Sequence, residues 1–196
     1  GLIKQIDDQL GILFEFMEQK DLMKSTMIVF TSDHGEYFGD HWMGDKDFFH
    51  DPAVKVPLII ADPDPSCDGT RGSVQNAPVE AIDLVPTFIE YAGGTVPKHI
   101  LDGRSLMPLL QGNDVPWREF VVSEYDYFQQ SFSPKTGRTP LECRIYMIKN
   151  DRWKYIHAPG FLPILFDLTN DPDEFVDLGN SDDHTDARQY MHYALA

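Results

Sequence analysis

The chain has 196 residues, of which 42% are hydrophobic and 12% aromatic; this is the content of a packed globular protein and excludes a disordered segment. Its formal net charge of −16 leaves no basic stripe to neutralise phosphates, so nucleic acid is excluded as a partner. No apolar run is long enough to span a bilayer, and two cysteines, Cys67 and Cys143, give no disulfide framework, which points to a reducing compartment.

Residues 2 to 18 place Ile3, Ile6, Leu10, Leu13, Phe14 and Met17 at helical spacing, which predicts an amphipathic helix with its apolar face inward and Asp7 and Asp8 outside. Met27 to Phe30 is short and wholly apolar, as expected of a buried strand. Val56 to Ile60 is a second such run, with Pro57 at its start or edge. Asp62-Pro63-Asp64-Pro65-Ser66 and Asp68-Gly69 mark a surface loop. Residues 82 to 92 read as a helix with Asp83 as its cap, Pro86 in the first turn and Gly93-Gly94 at its end. A shorter helical piece, Leu106 to Leu110, closes at Gly112. Beyond about residue 115 the runs become short and strand-like: Phe120 to Val122, Arg144 to Ile148, Trp153 to His157 and Leu165 to Leu168, with Asn150-Asp151 as a turn. Residues 183 to 195 suit a terminal helix. There are no repeats and no low-complexity tracts.

The stretch Ile28-Val29-Phe30-Thr31-Ser32-Asp33-His34-Gly35-Glu36 carries the most chemistry. A strand that ends on an acid and an imidazole delivers two donors to the carboxyl edge of a sheet, where ligands gather in parallel α/β folds. Carboxylate oxygen with imidazole nitrogen suits Mn²⁺, Zn²⁺ or a promiscuous divalent site. Taken alone, the dipeptide also reads as a solvated aspartate beside a satisfied histidine.

The residues downstream of the pair sharpen its reading. Gly39-Asp40-His41, then Lys46, then Asp51-Pro52-Ala53-Val54-Lys55-Val56-Pro57-Leu58-Ile59-Ile60 succeed Asp33-His34. Further on come Ala81-Ile82-Asp83-Leu84-Val85-Pro86-Thr87 and Asp102-Gly103-Arg104-Ser105-Leu106-Met107-Pro108-Leu109-Leu110. Arg152-Trp153-Lys154-Tyr155 and Leu165-Phe166-Asp167-Leu168-Thr169-Asn170-Asp171-Pro172-Asp173-Glu174 complete the series. In this order the motifs resemble the sulfatase family of the alkaline phosphatase superfamily, and within it the phosphonate monoester hydrolase and phosphodiesterase branch, which has Asp-His where most sulfatases have Asp-Asn.

The resemblance implies the carboxyl-terminal part of a doubly wound sulfatase-like α/β fold, with a small antiparallel sheet and a terminal helix. Residues 1–115 would belong to the metal-binding α/β domain and 116–196 to the sheet subdomain. It implies a divalent cofactor (Mn, Ca or Zn) held in part by Asp33 and His34, and a small anionic ester as substrate. Lys46, twelve residues beyond His34, stands where the family clamps an anion. His41 is a second candidate for the catalytic pocket, Glu36 for orienting the metal shell, and Trp42, Phe48 and Phe49 for an apolar wall. Lys55 and Arg104 read as solvent-facing, and the remaining histidines show no spacing for a second metal.

The family's nucleophile, a formylglycine from Cys-x-Pro-x-Arg, has no counterpart: Cys67-Asp68-Gly69-Thr70-Arg71 has Gly69 in place of proline and comes after the metal pair instead of preceding it. The nucleophile and two further metal ligands are therefore expected in a longer parent protein, and these 196 residues alone are expected to be inert. The expected activity is hydrolysis of phosphonate monoesters, phosphodiesters or sulfate esters; an arylsulfatase and a non-catalytic sulfatase-like domain stay open beside it. The start at Gly1 shows neither an initiator methionine nor a signal peptide, which in a piece of a longer protein says little about targeting; the two cysteines make the cytoplasm the expected location, with the periplasm, secretion and homo-oligomerisation of the full-length enzyme left open.

Overall fold

The computed structural model of the protein describes residues 1–127, 137 and 139–196. They form a mixed helix-and-sheet fold with small antiparallel sheets and a terminal helix, divided into two compact units. Unit one comprises Gly1–Ser32, Pro57–Asn76 and Ile82–Pro116; unit two comprises Asp33–Val56, Ala77–Ala81 and Trp117–Ala196. The segment from Asp33 to Val56, which carries the Asp-His pair, thus shares a unit with the later strands.

In unit one, α1 (Leu2–Gln19) is the amphipathic helix the spacing predicts. Its apolar side does not face inward, however: among its residues only Met17 is buried, and Ile3 is 86% exposed. β1 (Ile28–Thr31) pairs with β2 (Leu58–Ala61), Thr31 lying opposite Leu58. The expected buried parallel strand is corrected here: the pairing is antiparallel, and the partners Phe30 and Ile59 are 39% and 63% exposed. The excursion through residues 33–56 returns the chain beside its point of departure running the opposite way, which makes the pair a wide hairpin.

A 3₁₀ turn (Ala81–Asp83) leads into α3 (Leu84–Tyr91), while α2 (Asp51–Val54) and α4 (Met107–Leu110) are single turns. Asp83 makes no cap bond from its side chain. It is fully buried and its Oδ1 accepts the Arg104 N–H at 2.7 Å, while Thr87 Oγ1 accepts the Leu106 N–H at 2.8 Å. The helix start is thereby tied to the Gly103 turn, where a Cβ would lie 2.1 Å from the Ile82 carbonyl oxygen. Gly93, at φ 76°, ends the helix in the left-handed conformation that only glycine adopts without cost.

Unit two is built on a four-stranded antiparallel sheet, β3 (Val121–Asp126), β4 (Arg144–Lys149), β5 (Trp153–His157) and β6 (Ile164–Asp167), in that order. Each of β4, β5 and β6 supplies one buried apolar residue to each side, because side chains alternate along a strand. Ile148, Tyr155 and Leu165 pack with Met191 of α5 (Thr185–Leu195). Met147, Ile156 and Phe166 pack with Phe49, and the partly buried Val54 packs against this cluster. The second face is therefore covered by the very segment that bears the candidate site. Among the described residues, no helix is long and apolar enough to cross a membrane.

Candidate active site

The site segment opens at Asp33 and is closed on itself by α2. Gly35 N–H donates to the Ala53 carbonyl at 2.7 Å and Glu36 N–H to the Pro52 carbonyl at 3.1 Å. Only glycine allows that approach, since a Cβ on residue 35 would lie 1.9 Å from the Pro52 oxygen.

Gly35 in turn orients the imidazole before it. Its carbonyl oxygen is 2.7 Å from His34 Nδ1. A carbonyl can only accept, so the proton sits on Nδ1 and the Nε2 lone pair faces outward, the tautomer a metal-binding histidine needs. Asp33 Oδ1 accepts the His34 N–H at 3.0 Å, and Asp33 Oδ2 lies 3.6 Å from His34 Nε2. The Lys46 ammonium meets the same Nε2. The structure thus brings Asp33, His34 and Lys46 to one point.

Two donors 3.6 Å apart fit one cation, because bonds of about 2.1 Å to each would meet at an angle of about 120°. Among the described residues no three His, Cys, Asp or Glu groups converge to hold a metal ion. Two donors alone fall short of the four or more that a divalent ion takes.

His41 lies in a different group of side chains. Its ring stacks on His50 at 4.1 Å and on Phe175 at 4.9 Å, with Tyr37 edge-on at 6.2 Å. Tyr37, almost fully buried, meets His50 Nδ1 through its hydroxyl at 2.8 Å. Burial, then the charges of His41 and Lys154, push His50 down to about 4 against the opposing pull of Asp51. Burial likewise raises Tyr37 to about 12. Both therefore stay neutral at physiological pH.

The segment is strained here, with Phe38, His41, Trp42 and Asp45 all in the left-handed region. Such conformations cost energy in non-glycine residues and cluster at ligand-binding loops. They turn Phe38 and Trp42 outward, each 91% exposed. The expected apolar wall of Trp42, Phe48 and Phe49 breaks up: Phe49 is a core residue, Phe48 is half exposed and Trp42 stands in solvent beside Phe175. Glu36 accepts the Phe38 N–H, at 3.4 Å, and so helps shape the turn.

Sequence reasoning missed Tyr37, His50, Lys154, Glu174 and Phe175. Lys154 and Glu174 stand in the motif runs near the carboxyl terminus, and their position there was the available signal. Tyr37 and His50 offered none, since only folding makes them neighbours.

With this geometry in place, the likenesses to known proteins become informative. The family described as N-sulphoglucosamine sulphohydrolase, C-terminal, matches residues 39–196. The multifunctional alkaline phosphatase superfamily protein PehA of Trinickia caryophylli is 33% identical over 201 aligned positions, covering all of this chain and 38% of that protein. An arylsulfatase of Clostridium perfringens (strain 13 / Type A) is 27% identical, again over the whole chain and 38% of its own length. Among solved structures, the phosphonate monoester hydrolase of Agrobacterium radiobacter superposes with a TM-score of 0.90 at 33% identity, covering 98% of this chain and 38% of that one. The chain spans well under half the length of these relatives. Most of its residues fall inside the family match, and the chain belongs to the sulfatase family through its N-sulphoglucosamine sulphohydrolase carboxyl-terminal part.

Proposed function

We propose that this chain is the carboxyl-terminal part of a metal-dependent hydrolase of phosphonate monoesters, phosphodiesters or sulfate esters. The observation that carries the reading is the meeting of Asp33 Oδ2, His34 Nε2 and the Lys46 ammonium at one point. Asp33 and His34 would hold a divalent ion, with Gly35 fixing the imidazole tautomer. A divalent ion there supplies Lewis-acid stabilisation of charge on the ester and lowers the pKa of a nucleophile. The Lys46 ammonium, displaced from His34 Nε2 when that lone pair is engaged, is free to clamp a non-bridging oxygen of the ester as a point charge. His41, sandwiched between two rings, would flank the pocket. The nucleophile and the remaining ligands would come from the parts of the relatives' length that this chain does not span.

PehA and the phosphonate monoester hydrolase favour phosphorus esters; the family match and the arylsulfatase favour sulfate as the second reading. A full-length protein carrying this chain should be assayed against aryl phosphonate, phosphodiester and sulfate esters with added Mn²⁺, Zn²⁺ or Ca²⁺. Metal-dependent turnover that Asp33→Asn and His34→Ala both abolish is the expected result. Turnover indifferent to metal, or to both substitutions, would overturn the proposal.

A further inference from the structure

Lys149 and Lys154 stand directly opposite each other on β4 and β5. Like charges in such a pair repel. Here Asp51 sits between them: Lys149 Nζ donates to its Oδ1 at 2.7 Å and Oδ2 at 3.0 Å, and Lys154 Nζ to Oδ1 at 2.6 Å. Glu174 completes the cluster, pairing with the Lys154 ammonium while its Oε2 accepts the Asp51 N–H at 2.7 Å. Lys154 also donates to the Phe49 carbonyl at 2.9 Å. The side chains of Lys154 and Glu174 are 0% and 1% exposed. Glu174 holds a left-handed backbone to reach this place.

Buried ion clusters are a poor device for stability, because desolvation offsets most of the attraction and apolar residues of the same size serve as well. They do fix geometry. What this one fixes is the Phe49–Asp51 backbone, the entry to α2. From there a series of direct contacts runs to the site: α2 carbonyls hold Gly35 and Glu36, and the Gly35 carbonyl holds His34 Nδ1. The same turn that places Glu174 presses Phe175 on His41.

We propose that Lys154, Glu174 and Asp51 are positioning residues that anchor the α2 entry to the sheet and so set the His34 imidazole for the metal. The inference rests on the metal-binding reading of Asp33 and His34. Lys154 and Glu174 touch neither metal nor substrate; they act through α2 and Gly35.

The test uses the full-length protein, with Mn²⁺ as the probe and calorimetry as the readout. Glu174→Gln removes a charge while keeping the side chain's shape and one acceptor for Asp51 N–H; Lys154→Met removes the ammonium. Loss of a supporting partner of a metal ligand typically weakens metal affinity 10–100-fold, and that is the expected change in Kd for Glu174→Gln. Hydrogen exchange at the Gly35 and Glu36 amides should accelerate in the same variant, since the α2 carbonyls would no longer be held. If Glu174→Gln folds and keeps both Kd and amide protection at wild-type values, the cluster is structural only and the proposal fails. Lys154→Met repeats the reading by a second route, and a folded Lys154→Met with wild-type Kd would overturn it equally. His34→Ala separates the two levels of the argument: wild-type affinity in His34→Ala sinks the metal reading itself, whereas lost affinity there with unchanged affinity in the cluster variants sinks only the positioning.

Discussion

Gly35 carries more of the site than Asp33 or His34, since its N–H, its carbonyl and its missing Cβ are all in use. Gly35→Ala would drive a methyl to within 1.9 Å of the Pro52 oxygen, so the loop must shift. Overpacking of that kind costs about 1–3 kcal/mol, and the displaced carbonyl should release His34 Nδ1. Denaturation of the full-length variant is expected to show that loss together with weaker Mn²⁺ binding; unchanged binding would mean that Gly35 serves packing alone. Lys46 makes a sharper prediction. If its ammonium holds an oxygen whose charge grows in the transition state, Lys46→Ala lowers kcat by about 10²–10³ with a much smaller change in KM. A solvated lysine would cost almost nothing, so steady-state kinetics decide between the two. His50 sets the acid response. Folding holds its pKa near 4 while the unfolded chain protonates it near 6.5, so the unfolded state binds the extra proton. Stability contributed by the neutral ring is full above pH 6.5 and drains away as pH falls toward 4. His157, lowered by burial and by His192, adds to the same slope. Asp51 acts in a separate window: burial pushes it up, but Lys154 and Lys149 hold it at about 2, so its contribution is full above the usual carboxylate range and is lost as pH falls through that range toward 2. Urea midpoints measured from pH 7 to 4.5 should fall for the wild type and fall less steeply for His50→Gln.

At the scale of elements, the sheet was the most legible part. β4, β5 and β6 each alternate between two apolar faces, and that alternation is written directly in Met147-Ile148, Tyr155-Ile156 and Leu165-Phe166. Leu165, with no exposure at all, is the test of that packing. Leu165→Ala should cost about 2–5 kcal/mol in chemical denaturation, and a much smaller value would mean that the two-faced core is loosely packed. Other elements were legible in kind but not in role. The period of α1 predicts a helix correctly, yet periodicity says only which side is apolar, not what covers it. β1 shows the same limit: an apolar run of four residues fits a parallel or an antiparallel strand, and pairing partners are set by where the chain returns. Asp83 looked like a cap because caps are local, whereas its bond to the Arg104 N–H spans residues that no local pattern connects.

At the scale of the whole chain, order of motifs was the strongest signal, and it singled out Asp33, His34 and Lys46, whose side chains the structure brings together. The aromatic stack around His41 and the ion cluster of Asp51, Lys149, Lys154 and Glu174 were not legible, because each joins the segment before Val56 to residues more than ninety positions downstream and its members are individually ordinary. The chain by itself should bind divalent metal feebly, since two donors leave most positions to water. Calorimetry of residues 1–196 with Mn²⁺ is expected to show no tight stoichiometric binding, and a tight isotherm would mean that these residues supply a more complete site than Asp33 and His34 alone.

The Asp51 carboxylate is joined to residues 98 and 103 positions downstream, and its N–H to one 123 positions downstream. Contacts of such separation form late. During synthesis the segment bearing Asp33 and His34 emerges from the ribosome long before the strand that carries Lys154 and the turn that carries Glu174. A nascent chain halted before β5 would present both donors with nothing to aim them. If the protein holds a metal as proposed, that ability is acquired near the end of translation, and premature termination yields a product that cannot retain the ion.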